Sequence, residues 1–387
     1  MPAGYQMASM TDEDSETGQS DGAVDRRRLL QLLAVPGALS PLGYFSMDRR
    51  NQRWLPNWLE YAGSSRVDWV VDRSFHERPV VADGTIYLVD SAETVGEAIY
   101  ALTADDGTEQ WAIDPAAGEY DHYFHRPTAA DGTVYVFPRD GPLYALDAAD
   151  GSERWTVDLG AAVAGPPTVA GDTVYIGVDE TMYALDTADG SERWAVRLLG
   201  HLSGSPVVVD GTVYTGAGGR VYALDTADGS QRWGGRLDDS QTHVSGWDGD
   251  SLFVVAWNEL YALDATDGTV RWTITVPTLF EYPVAADDET VYVSARGGPL
   301  YAFDAADGEL QWQFLTEEGM AAPPAVADGT VYVGSDYLED GDGNRLYAVD
   351  AADGTERWSF PVDTEDAPAV VDGTIYATGD SLYAFDT

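Results

Sequence analysis

Two residue types are missing from this chain of 387 residues: it has no cysteine and no lysine. Without cysteine there is no disulfide, no thiolate metal ligand and no thiol nucleophile. Without lysine there is no Schiff base and no ammonium for a phosphate-binding loop. Arginine alone carries the positive charge: 21 arginines stand against 66 acidic residues, for a net charge of −45. A field of that sign repels nucleic acid and anionic lipid, so neither is expected as a partner. An acidic excess from which lysine is excluded is the composition of a protein working in multimolar salt, where the Debye length shrinks to about 3 Å. The expected source is therefore halophilic and archaeal. Also missing are a glycine-rich dinucleotide fingerprint, a nucleophile elbow that would place a Ser with a His and an Asp, and any helical periodicity after residue 66.

The longest apolar stretch is short. Residues 1–25 are acidic and rich in Ser and Gly, and read as a disordered tail. Arg26-Arg27-Arg28 then precedes a broken apolar run that ends at Leu42, 14 residues from Leu29 and too short to span a bilayer. A basic group before a short apolar run is the grammar of an export signal, and paired arginines before Leu29-Leu30 resemble the twin-arginine type over 26–42. Asp25 stands where that signal has Ser or Thr, and no small-x-small cleavage site follows. The expected location is extracytoplasmic, at the cell surface; without export the chain is cytoplasmic. Residues 43–66, with Trp54, Trp58, Leu59 and Tyr61, read as a linker or a packing segment.

From Trp69 onward one unit of about forty residues repeats. Its signature is Tyr-Ala-Leu-Asp-x-x-Asp-Gly-x-x-x-Trp, with Tyr at 100, 144, 183, 222, 261, 301, 347 and 383. The tryptophans are Trp111, Trp155, Trp194, Trp233, Trp272, Trp312 and Trp358. Tyr383 lacks a tryptophan and Trp69 lacks a tyrosine, so two halves complete an eighth unit. Each unit reads as four short strands, the first opening on a proline and turning through Asp-Gly into the second, as at Asp210-Gly211. The prediction is an all-β fold over 67–387: an eight-bladed β-propeller with four antiparallel strands per blade. The ring closes by pairing the N-terminal strand with the C-terminal blade, which leaves no open sheet edge between them.

Ala145, Asp147, Gly151 and Trp155 resemble the tryptophan-docking motif of the pyrroloquinoline quinone (PQQ) type propeller repeat, and every other complete blade repeats the Ala, Gly and Trp. The family usually has Thr before the Gly, where this chain has Asp. The resemblance covers 67–387. It implies that Trp69 and its seven counterparts lie flat between neighbouring blades, the small Ala leaving room for the ring and the Gly permitting the turn. The repeat occurs in quinoprotein dehydrogenases and in non-enzymatic scaffolds such as the outer-membrane assembly lipoproteins, so it implies a fold and leaves the function open.

Comparing the repeats separates two faces. Eleven residues run from Tyr to Trp in every complete repeat, and eight from the opening proline to the second-strand aromatic in seven blades. The turns on that face are uniform. The connections on the opposite face vary: 16 residues separate Trp111 from Pro127, 13 Tyr87 from Tyr100 and 15 Tyr332 from Tyr347. All five histidines, including His122 and His201, fall in these connections. Aligning each connection on its proline places His76, Glu77, Arg78, His125, Arg126, His243, Glu281, Tyr282 and Asp366 at the rim of the central funnel, with Trp247 unusual where other blades have Val or Ala. Arg78 and Arg126 suit an anionic group, and polar residues of this kind also line any wet channel.

Asp340-Gly-Asp342-Gly-Asn344 starts like a calcium loop, but Arg345 and Ala351 stand where ligands are needed, and the segment reads as a solvated loop. No metal site and no catalytic residue is assigned. The reading is a monomeric, non-enzymatic binding or scaffold propeller with a protein partner, no transmembrane span, no cofactor, and room for a small ligand in the funnel. The resemblance supplies an alternative, a dehydrogenase of alcohols or sugars using PQQ and calcium, with Glu77, Glu281 and Asp366 as metal ligands and Trp247 stacking the cofactor. In several such enzymes a vicinal disulfide faces the cofactor, which is impossible here, and the chain is shorter than the eight-bladed members. A second alternative is a sensor propeller for a solute.

Overall fold

The computed structural model describes residues 24–25, 66–75, 77–89, 99–114, 124–138, 141–237, 242–276, 280, 283–287, 289–316, 319–320, 322–335, 344–362, 364, 366–379 and 381–387. They form eight antiparallel sheets and no helix. Blades 1 to 7 each take four consecutive strands, beginning at Val80, Thr128, Thr168, Leu202, His243, Ala285 and Ala325. Blade 8 takes three strands from Ala369–Val371, Thr374–Ala377 and Leu382–Asp386, and its outermost strand from Val67–Val71, in the register Val67 to Phe385 and Val70 to Tyr383. Val24–Asp25 adds a two-residue strand outside it, opposite Trp69 and Val70. The rest of the first 65 residues, where the acidic tail, export signal and packing segment were expected, lies outside the described residues.

The opening strand of each blade packs against that of the next, and that of blade 8 packs against that of blade 1, so the ring is continuous. The core is distributed in the same way. Eight buried clusters occupy the eight junctions between neighbouring sheets, because the two middle strands of each blade are buried on both faces, while the outer strands expose alternate residues. Tyr332, Leu346 and Phe360 of blade 7 meet Val67, Ile375 and Tyr383 of blade 8, which in turn sets Trp69 and Leu382 against Ile86 and Tyr100 of blade 1.

Tryptophan fastens one blade to the next. Trp111, Trp155, Trp194, Trp233, Trp272 and Trp312 each donate the indole N–H to a backbone carbonyl of the following blade at 2.9 to 3.0 Å. The ring lies on the turn glycine of that blade. At Gly107, which has φ +69°, a Cβ would stand 2.8 Å from the Trp69 ring, so the glycine answers both a left-handed backbone and a lack of room. At Trp358 the Arg66 guanidinium covers the ring at 4.9 Å.

The Asp of the same turn holds the uniform face. Asp147 accepts from the Ala149 N–H at 2.9 Å and pairs with Arg154 at 2.9 Å, while Arg154 donates to Thr133 at 2.6 Å. The same Asp–Arg–hydroxyl clamp recurs as Asp186–Arg193–Thr173, Asp225–Arg232–Thr212, Asp264–Arg271–Ser251 and Asp350–Arg357–Thr330. These contacts hold the carboxyls below the usual carboxylate range, chiefly through the Ala149 N–H at Asp147 and through arginine at Asp186, Asp264 and Asp350.

Candidate functional site

Each opening strand is the terminal strand of its sheet and lines the channel, so a residue just before it stands at the channel mouth on the variable face. Arg78 and Arg126 occupy that position in blades 1 and 2, held there by the prolines that follow, whose φ is restricted near −65°. Both line one open cavity of about 450 Å³, walled by Pro79, Val81, Pro127, Pro167, Val169 and Val370, with Ser205 across it. Burial and the neighbouring Arg126 charge both lower the proton affinity of Arg78, and Asp366 partly restores it. Asp366 does not pair with the guanidinium. Its oxygens accept the backbone N–H of Arg78 at 2.9 Å and of Ala367 at 2.6 Å, which ties blade 8 to the start of blade 1.

The other rim residues go to separate tasks. Glu77 gives its carbonyl to the Thr378 hydroxyl at 3.0 Å. His125 stacks on Phe137 with centroids 4.9 Å apart. His243 begins the opening strand of blade 5, opposite Val255, and burial lowers its pKa from the ordinary imidazole value. Trp247 ends that strand beside the hairpin turn, opposite Leu252, and is not among the residues lining the cavity. His76, Glu281 and Tyr282 lie outside the described residues. So do 90–98, 115–123 and 336–343, which hold the long connections of blades 1, 2 and 7 and most of the calcium-like segment. Among the described residues no group of three or more acidic or histidine side chains is arranged to hold a metal.

The variable face also carries apolar side chains. Leu199 and Leu315, in the connections before blades 4 and 7, are 70% and 64% exposed. Trp257, in the turn between the second and third strands of blade 5, is 63% exposed at φ +57°. Strand alternation puts all three on one face. Trp257 was not singled out from the sequence, though a signal existed: the matching positions of blades 3 and 4 are Asp179 and Gly218, types that take a left-handed backbone more readily than tryptophan. A bulky side chain there costs about 1–3 kcal/mol, and its main chain is held by the Phe280 N–H on the Trp257 carbonyl at 2.7 Å.

No curated protein matches the chain in sequence. Among solved structures, BamB from Moraxella catarrhalis is similar at a TM-score of 0.66 and 20% identity, over 80% of this chain and 94% of that one. The computationally designed Ika8 protein is similar at 0.70 and 13%, over 81% and 97%. The quinohemoprotein alcohol dehydrogenase from Comamonas testosteroni is similar at 0.65 and 17%, over 81% of this chain and 74% of that one. At these identities the likeness is one of fold. The sequence itself is more specific: residues 95–246, 236–323 and 316–387 match the family described as outer membrane protein assembly factor BamB, and the chain belongs to that family.

Proposed function

We propose that this chain is a non-enzymatic binding propeller whose variable face receives a protein partner. Trp257 carries the reading. A large aromatic residue is held in a left-handed backbone conformation at the tip of a turn, most of it in solvent, where the matching positions of blades 3 and 4 are Asp179 and Gly218. Tryptophan is the residue most enriched at the energetic centres of interfaces. With Leu199 and Leu315 on the same face and a net charge of −45, the complementary partner presents apolar side chains flanked by arginine or lysine. The family description, an assembly factor, agrees with a role in holding other proteins.

The setting proposed with it is a halophilic, archaeal cell, on the acidic, lysine-free composition, with the propeller exported by way of Arg26-Arg27-Arg28 to the cell surface. The test is capture from native membranes at high salt with the wild-type chain, Trp257→Gly and, on the uniform face, Asp189→Asn. A partner retained by the wild type and Asp189→Asn but lost by Trp257→Gly supports the reading. Equal capture by all three overturns it.

The dehydrogenase reading fits the cavity poorly. Calcium takes six to eight oxygen ligands. The described cavity lining offers two guanidiniums and no carboxylate, and Asp366 is committed to backbone N–H groups. Two fixed positive charges oppose a divalent cation. Adding PQQ and calcium is expected to give neither a spectral shift nor dye reduction with alcohols or sugars, and either signal would restore that reading.

A further inference from the structure

We propose that the mouth of the central channel binds one small oxyanion, of the carboxylate or phosphate class, between Arg78 and Arg126. The two guanidiniums line the same cavity, and among the described residues neither donates a hydrogen bond or sits in an ion pair. That is anomalous for this chain. Five arginines of the uniform face are each held by a carboxylate at 2.7 to 2.9 Å, in a protein with three acidic residues for every arginine. Two like charges left unpaired beside apolar walls repel each other and lack full hydration, a cost that an anion removes.

The surroundings suit a small anion with an organic body. Pro79, Pro127 and Pro167 remove backbone donors and give apolar walls, and Ser205 is a polar member of the same lining. The volume of about 450 Å³ is ample for a short dicarboxylate or a small phosphate ester. Asp366 accepts the Arg78 backbone N–H and makes no ion pair with the guanidinium, so it offsets the positive charge only in part. Guanidinium is the group of choice for such ligands because its planar fork meets two oxygens at once. The neighbouring blades supply no competing cation: the equivalent positions are Pro166 in blade 3 and Ser205 in blade 4. This site does not depend on the partner-binding reading, and a failure of either leaves the other standing.

The test uses the full chain at constant ionic strength, with inorganic phosphate and succinate as probes, read by calorimetry and by thermal unfolding. The expected result is saturable binding of one anion per chain, weakened about tenfold or more by Arg78→Gln or Arg126→Gln and unchanged by Arg236→Gln on the exposed outer strand of blade 4. A second readout needs no ligand. Without anion, Arg78→Gln unfolds at the same or a higher temperature than the wild type, because a repulsion has been removed, and saturating anion reverses that order. If neither probe binds, or if the arginine variants bind and melt as the wild type does with and without anion, the proposal is overturned.

Discussion

Replacing Gly107 by Ala tests how the ring is held, because the same blade supplies a matched control. Gly107 and Gly84 have nearly the same φ, +69° and +73°. An added Cβ at Gly84 meets nothing within 4 Å, whereas at Gly107 it would stand 2.8 Å from both the Trp69 ring and the Val71 methyl. Both substitutions place a side chain in the left-handed region, at about 1–2 kcal/mol. Only Gly107→Ala also overpacks a buried contact, for about a further 1–3 kcal/mol. Gly107→Ala should therefore lose about 2–5 kcal/mol and Gly84→Ala about 1–2 kcal/mol, measured by denaturant unfolding at fixed salt with tryptophan fluorescence and circular dichroism together. Because Trp69 belongs to the strand that completes blade 8, the excess measures the joint between the last blade and the first. Equal losses for the two variants would refute tryptophan docking at that joint.

Other expectations follow from the same structure. Trp257→Gly should raise stability by about 1 kcal/mol or more as the backbone strain is relieved, while the partner is lost; a melting temperature below that of the wild type would contradict the assigned strain. Burial depresses the His243 pKa, so the unfolded chain takes up its proton first: the His243 contribution is intact above about pH 6.5 and is lost as the pH falls toward the folded value. In melts across that range, His243→Gln should flatten the dependence. Because the chain has no cysteine, Val71→Cys with Leu382→Cys creates one unambiguous pair across the blade 8 ladder. Oxidation should give a monomeric, faster-migrating species of raised melting temperature, and a pair that stays reduced would argue against that register. Dialysis into low salt should unfold the chain as its 66 acidic groups lose screening, and retention of structure would count against halophilic adaptation.

The architecture was legible because it repeats. Tyr, Asp-Gly and Trp recur at fixed spacing since each answers one local demand, a buried aromatic, a left-handed turn and a docking ring, and eight copies make the pattern unmistakable. The half-units at Trp69 and Tyr383 pointed to a shared blade for the same reason. The rim was legible in part. Counting back from the proline located Arg78 and Arg126, whose shared cavity depends on blades 1 and 2 being neighbours. The same count could not tell that the Asp366 carboxylate turns to backbone donors, that His125 stacks on Phe137, or that Trp247 sits at the far end of its strand, because side-chain direction is decided by contacts with other blades. Loop length carries no sign of Trp257, because its turn is as long as those of blades 3 and 4 and only the residue type departs.

The most direct measurement is site-specific photocrosslinking from position 257 and, on the uniform face, from position 189, with each chain in native membranes at high salt. A discrete protein adduct from 257 that is absent from 189 is the predicted result. Adducts that are the same from both positions, or none from 257, would contradict a partner on the variable face.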